Sequence, residues 1–226
     1  MSPDALPTDS ATGEPDRLDL DTWPHTYTPG EPGAPVLLTL HGTGGDEREI
    51  TALADAIMPE AAVLSPRGRV SEGGANRWFR RLREGVFDVD DVIVRAGELA
   101  AFVVAARERY DLAGRPLIAA GFSNGANIAL ATALLHPDVV SRVVAFSGMY
   151  PFGDREPIGD VSAVELLLLN GSGDPMAPAS SVDVLERTAS ARGASVTRTT
   201  RPGGHGIDRS EIDAARDWIA ATPGAL

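Results

Sequence analysis

Ser123 sits in Gly121-Phe122-Ser123-Asn124-Gly125, the G-x-S-x-G spacing of a nucleophile carried on a sharp turn. The pentapeptide follows the apolar run Leu117-Ile118-Ala119-Ala120 and opens the small-residue stretch Ala126 to Leu130. It therefore falls where a strand would hand over to a helix. Glycine suits the flanking positions because it has no Cβ to meet neighbouring chain. A helix starting directly after Ser123 would favour negative charge developing on a substrate oxygen. Without partners, the same residues would be an ordinary glycine-rich helix cap.

A serine hydroxyl attacks a carbonyl only when a base takes its proton. Four histidines are available: His25, His41, His136 and His205. His136 precedes Pro137 at a helix end, His25 lies in the first ordered strand, and His41 closes a strand. His205 lies in Pro202-Gly203-Gly204-His205-Gly206, where glycines on both sides let an imidazole reach a cleft. The base in turn needs a carboxylate to fix its tautomer. Asp174 follows the buried run Leu166 to Leu169 and precedes Pro175, which holds its backbone extended. Asp138, Asp154 and Asp160 compete, but each lies in a polar loop. The chain order is Ser123, Asp174, His205, one of the known orders of a serine triad.

The turn His41-Gly42-Thr43-Gly44-Gly45 follows Val36 to Leu40 and can aim a main-chain N–H at a reaction centre. Thr43 and Asn124 are the expected N–H pair of an oxyanion hole, each donor being worth roughly 10²–10³ in rate. A phosphate loop is the other reading of this turn, but no G-x-x-x-x-G-K-[ST] occurs.

The elements that must hold these groups alternate. Strands are expected at Val36–Leu40, Ala61–Ser65, Pro116–Ala120, Arg142–Phe146, Val164–Leu169 and Ser195–Thr199. Helices are expected at Arg48–Met58, Val89–Tyr110, Asn124–Leu135, Val182–Ala191 and Arg209–Ala221. Residues 66–88 read as an irregular excursion. This alternation specifies an α/β class with a mostly parallel sheet covered on both faces, whose ligand site lies beyond the strand carboxyl ends.

Composition narrows the partners. The 226 residues hold no Cys, which excludes disulfides, a thiolate nucleophile and Cys-based zinc sites. The net charge of −12 opposes nucleic-acid binding. No apolar run reaches the roughly 18 residues of a membrane span, and the opening residues lack a signal-peptide pattern. All twenty cations are Arg, which suits either a salt-adapted surface or a coding bias. Residues 1–20 read as a flexible acidic tail and 21–226 as one catalytic domain, placed in the cytoplasm.

Four motifs in this order resemble the phospholipase/carboxylesterase family of α/β-hydrolases, which includes acyl-protein thioesterases and small bacterial carboxylesterases. They are Leu40-His41-Gly42-Thr43-Gly44-Gly45-Asp46-Glu47, Gly121-Phe122-Ser123-Asn124-Gly125, Gly171-Ser172-Gly173-Asp174-Pro175-Met176-Ala177-Pro178 and Gly204-His205-Gly206-Ile207. The similarity runs from about Val36 to Ile219. A further block, Ser65-Pro66-Arg67-Gly68 with Arg77 to Leu82 and Glu84 to Asp88, resembles the bacterial carboxylesterase branch associated with quinone and aromatic-compound stress.

The resemblance implies an α/β-hydrolase fold without a large lid domain and an esterase needing no cofactor or metal. It also implies a substrate pocket lined by Trp78, Phe79 and Met176; the other reading of Trp78 and Phe79 is a core anchor for a long loop. Arg77, Arg80, Arg81 and Arg83 are expected on a solvated face paired with carboxylates, with one of them available to an acidic substrate. The expected substrate is a short acyl or aromatic ester. Alternatives are a thioesterase or lysophospholipase on the same site, and a catalytically silent binding module. Where acyl-protein thioesterases carry Gln-Gly-Gly after the nucleophile position, this chain has Asn124-Gly125-Ala126. A homodimer is a possible assembly, since related esterases often pair through exposed faces.

Overall fold

Val36, Leu38 and Leu40 pack on one face of the central sheet while Leu37 packs on the other, which is how a wholly apolar strand serves two layers. Leu166 and Leu168 divide from Leu167 and Leu169 in the same way. A computed structural model of the protein describes residues 18–156 and 159–221.

Eleven strands and five α-helices are described: β1 His25–Thr28, β2 Val36–Leu40, α1 Thr51–Ile57, β3 Ala62–Pro66, β4 Val70–Glu72, β5 Ala75–Arg77, β6 Arg81–Arg83, β7 Val86–Phe87, α2 Val89–Arg109, β8 Leu117–Phe122, α3 Asn124–Leu135, β9 Arg142–Phe146, β10 Glu165–Gly171, α4 Ala179–Ala191, β11 Ser195–Arg201 and α5 Arg209–Ala221. The seven-stranded sheet has the order β1-β3-β2-β8-β9-β10-β11. Only β1 runs antiparallel to its neighbour.

One layer, with Leu99, Phe102 and Val103 of α2, Ile128 and Leu130 of α3 and Leu185 of α4, covers one face. Leu53 and Ile57 of α1 and Ala215 and Ile219 of α5 cover the other. Helix α2 starts on Asp88, whose carboxylate accepts from the Asp91 N–H, and ends with Arg107 and Arg109.

The chain passes from β2 outward to β3 and then returns to β8 on the far side of β2, with Leu40 in register with Gly121. The strand order reverses between β2 and β8, so the loops leaving these two strands diverge around a crevice. Because β2, β8, β9, β10 and β11 are parallel, the loops carrying Thr43, Ser123, Ser147, Asp174 and His205 open at one edge.

The excursion over residues 66–88 is more regular than its sequence suggests. It forms two hairpins, β4–β5 and β6–β7. The first turns on Gly73 and Gly74, both at positive φ as a two-residue hairpin turn demands. Strands of two or three residues are too short for alternation to show. The expected tail over residues 1–20 lies, as far as residue 17, outside the described residues. Leu20 is buried in a 3₁₀ turn, Leu20–Thr22, so packed chain begins slightly earlier than expected.

Candidate active site

Ser123 has φ 54° and ψ −114°, an unfavourable region for a side-chain-bearing residue. The surrounding chain enforces it. A Cβ on Gly125 would lie 2.0 Å from the Leu40 carbonyl oxygen, and one on Gly121 would lie 2.5 Å from the Gly125 carbonyl. Close packing of β8, the turn and α3 thus requires both glycines. The Ser123 N–H donates to the Phe146 carbonyl at 2.9 Å, which fixes the turn against β9. Ser123 Oγ makes no hydrogen bond among the described residues, so its hydroxyl is uncommitted.

His205 and Asp174 meet. The Nδ1–H of His205 donates to Asp174 Oδ2 at 2.7 Å. Asp174 Oδ1 accepts from the N–H groups of Met176 at 2.8 Å and Ala177 at 3.1 Å. Burial alone would raise the Asp174 pKa, but the bonds from His205, Met176 and Ala177 outweigh it and hold the carboxyl below its ordinary range. An ionised Asp174 keeps the proton on Nδ1 and leaves Nε2 with a lone pair. The His205 ring packs on Phe122, the neighbour of Ser123, with ring centroids 5.1 Å apart.

The other histidines are engaged elsewhere. His41, 1% exposed, donates from Nδ1 to the Gly42 carbonyl and accepts at Nε2 from the Gly68 N–H. His25 is bonded to the Trp23 carbonyl and to the Tyr110 hydroxyl, the second a partner invisible in its sequence neighbourhood. His136 caps α3. Asp138, Asp154 and Asp160 are all exposed.

A cleft of at most about 490 Å³ is lined by Ser123, Thr43, Asn124, Ser147, Met149 and Met176 among others. The N–H groups of Thr43 and Asn124 have no hydrogen-bond acceptor among the described residues, so both are available as donors. Met176 is 45% exposed at the cleft.

Trp78 and Phe79 do not line the cleft. They are 2% and 0% exposed and belong to the core under α2. Trp78 instead acts as a brace: its Nε1–H donates to the His41 carbonyl, and its backbone N–H to Asn124 Oδ1. Arg77 is likewise not on a solvated face, being 3% exposed and part of the cleft wall with Arg81. Arg80 and Arg83 are exposed, as expected.

Three residues outside the expected set complete the arrangement. Asn76 receives the Gly44 N–H at its carbonyl and donates from Nδ2 to the Gly45 carbonyl, stitching β5 to the turn that holds Thr43. Ser147, at φ 50°, donates to the Gly206 carbonyl at 3.2 Å. Arg201 donates to the carbonyls of Pro202, Gly204 and Gly206, on both sides of His205, while its Nε pairs with buried Glu211 at 2.7 Å. The one sequence signal for Arg201 was its place beside a glycine-rich loop with many free carbonyls.

The pattern of the Phospholipase/Carboxylesterase family matches residues 22–222. MhqD of Bacillus subtilis (strain 168) is 37% identical over 183 residues, 81% of this chain and 91% of its own. The crystal structure of the Bacillus cereus carboxylesterase is similar with a TM-score of 0.82 and 34% identity, over 87% of this chain and 93% of that one. A carboxylesterase from Mesorhizobium loti is 30% identical with a TM-score of 0.78, over 83% of this chain and 89% of that one.

Proposed function

This chain belongs to the phospholipase/carboxylesterase family of α/β-hydrolases, and from that premise we propose that it hydrolyses short acyl or aromatic esters through an acyl-enzyme on Ser123. His205 Nε2 takes the Ser123 hydroxyl proton as Oγ bonds to the acyl carbon. The N–H groups of Thr43 and Asn124 hold the resulting oxyanion. Collapse breaks the bond to the alcohol oxygen, which leaves with the proton from His205. Water, deprotonated by the same imidazole, then releases the acid and restores Ser123.

The observation that carries this reading is the 2.7 Å bond from His205 to an ionised Asp174, at the strand edge where strained Ser123 presents an uncommitted hydroxyl. The confined cleft favours short acyl chains over long ones.

The test is a panel of 4-nitrophenyl esters of rising chain length, an acyl thioester and a lysolipid, run with wild type and Ser123→Ala. Short esters are expected to turn over fastest, and Ser123→Ala to lose both turnover and labelling by a fluorophosphonate. Faster cleavage of long-chain esters would reverse the substrate assignment. An unlabelled Ser123 would make the fold a silent binding module.

A further inference from the structure

The wall of the cleft around Ser123 includes two guanidiniums, Arg77 and Arg81, with Glu84 beside them. Burying such a charge is unfavourable unless it is paired, and Arg77 is buried. Its Nε lies 3.1 Å from Glu72 Oε2 and donates to the Phe79 carbonyl, and its Nη1 donates to Thr43 Oγ1 at 2.7 Å. Its Nη2 has no hydrogen-bond acceptor among the described residues. Arg77 is thus a guanidinium locked against the turn that carries Thr43, with donors left over.

Arg81 shares the same counter-ion: its Nε donates to Glu72 Oε1 at 2.8 Å. One carboxylate therefore serves two guanidiniums. Burial and then the Arg81 charge draw the Arg77 pKa below its ordinary value, as expected of like charges held close. The remaining balance comes from Glu84, which pairs with Arg81 Nη1 from the turn between β6 and β7. Its side chain is 66% exposed. An exposed carboxylate on a guanidinium holds weakly and is readily exchanged for another. Among the described residues Glu84 is also the sole acidic residue of the cleft lining, in a chain whose net charge is −12.

We propose that Arg77 and Arg81 form an anion-recognising wall, and that the ester taken by this site carries a second, ionised acid group that displaces Glu84. This rests on the assignment of Ser123 as nucleophile. A substrate carboxylate entering the cleft meets planar donors already oriented for it, the geometry in which guanidinium outperforms ammonium.

Two matched pairs of esters test this: the mono-4-nitrophenyl ester of glutarate against 4-nitrophenyl pentanoate, and 3-carboxyphenyl acetate against phenyl acetate. The first puts the extra charge on the acyl side and the second on the leaving group. Wild type is expected to favour the charged member of at least one pair in kcat/KM by roughly ten- to a hundred-fold, the value of a hydrogen bond to a charged group. Arg81→Gln is expected to collapse that ratio, and Glu84→Gln, which removes the internal competitor, to widen it through a lower KM. Ratios near or below one in both pairs, with neutral esters still cleaved, overturn the proposal alone. A preference surviving intact in Arg81→Gln overturns it as well. No turnover of any ester, with no fluorophosphonate labelling of Ser123, removes the esterase assignment and the proposal with it.

Discussion

The backbone N–H of Trp78 donates to Asn124 Oδ1 at 2.8 Å, joining the hairpin segment to the residue directly after Ser123. With the bond from Trp78 Nε1 to the His41 carbonyl, it ties together the loops that leave β2 and β8. Asn124→Ala leaves the Trp78 N–H buried and unpaired, a loss of about 1–3 kcal/mol. Urea unfolding is expected to show that loss, and ester hydrolysis to slow in kcat more than it changes in KM. Wild-type stability in Asn124→Ala would mean that the brace is dispensable.

Asp174→Asn replaces the carboxylate that fixes the His205 tautomer. Ester turnover is expected to fall roughly 10³–10⁴-fold in kcat, with unchanged far-ultraviolet circular dichroism. Labelling of Ser123 by a fluorophosphonate slows in step, because the same proton transfer activates Oγ. If labelling keeps its wild-type rate, another group is the base's partner.

Arg201 holds the His205 loop through three carbonyls and is itself anchored by Glu211, which is 1% exposed. Arg201→Met strands that carboxylate, and breaking a buried pair from one side costs about 3–5 kcal/mol. The double variant Arg201→Met/Glu211→Leu removes the stranded charge and is expected to regain much of the melting temperature. It does not restore the loop carbonyls' donor, so catalysis stays depressed. Activity that recovers along with stability would show that Arg201 serves the fold and not the imidazole's position.

His41 supplies a pH dependence of stability. Burial, only partly opposed by its bond to the Gly42 carbonyl, holds its imidazole below the ordinary value of 6.5. The unfolded chain therefore takes up this proton first. Stability present above pH 6.5 is lost as pH falls from there through the folded-state value, at up to roughly 1.4 kcal/mol per pH unit. Urea midpoints at pH 7.5 and 5.5 are expected to differ more in wild type than in His41→Gln. Parallel falls in the two proteins would place the acid sensitivity elsewhere.

The family, the alternation of strands and helices, and the candidates Ser123, Asp174 and His205 were legible in the sequence because each is written locally. Gly121 and Gly125 are glycines because a Cβ at either would collide with main chain. Asp174 follows the apolar strand β10 and His205 the neighbouring parallel strand β11, so the sheet brings them to one edge whatever the detail of packing between.

The hairpin segment obeyed no such rule. Trp78 and Phe79 read either as cleft lining or as a core anchor for a long loop, and Arg77 as solvated; the fold buries both aromatics in the core and puts Arg77 in the cleft wall. Arg77 ends β5 while Trp78 and Phe79 lie just beyond it, so no strand alternation sorts the three between cleft and core. In strands this short no pattern of apolar residues marks the inner face. The sequence by itself determined which groups could carry out the chemistry and at which edge of the sheet they gather. Only the tertiary structure decided which side chains surround them, because that orientation is set by contacts with the loop leaving β2, with Asn124 and with Asp91 of α2.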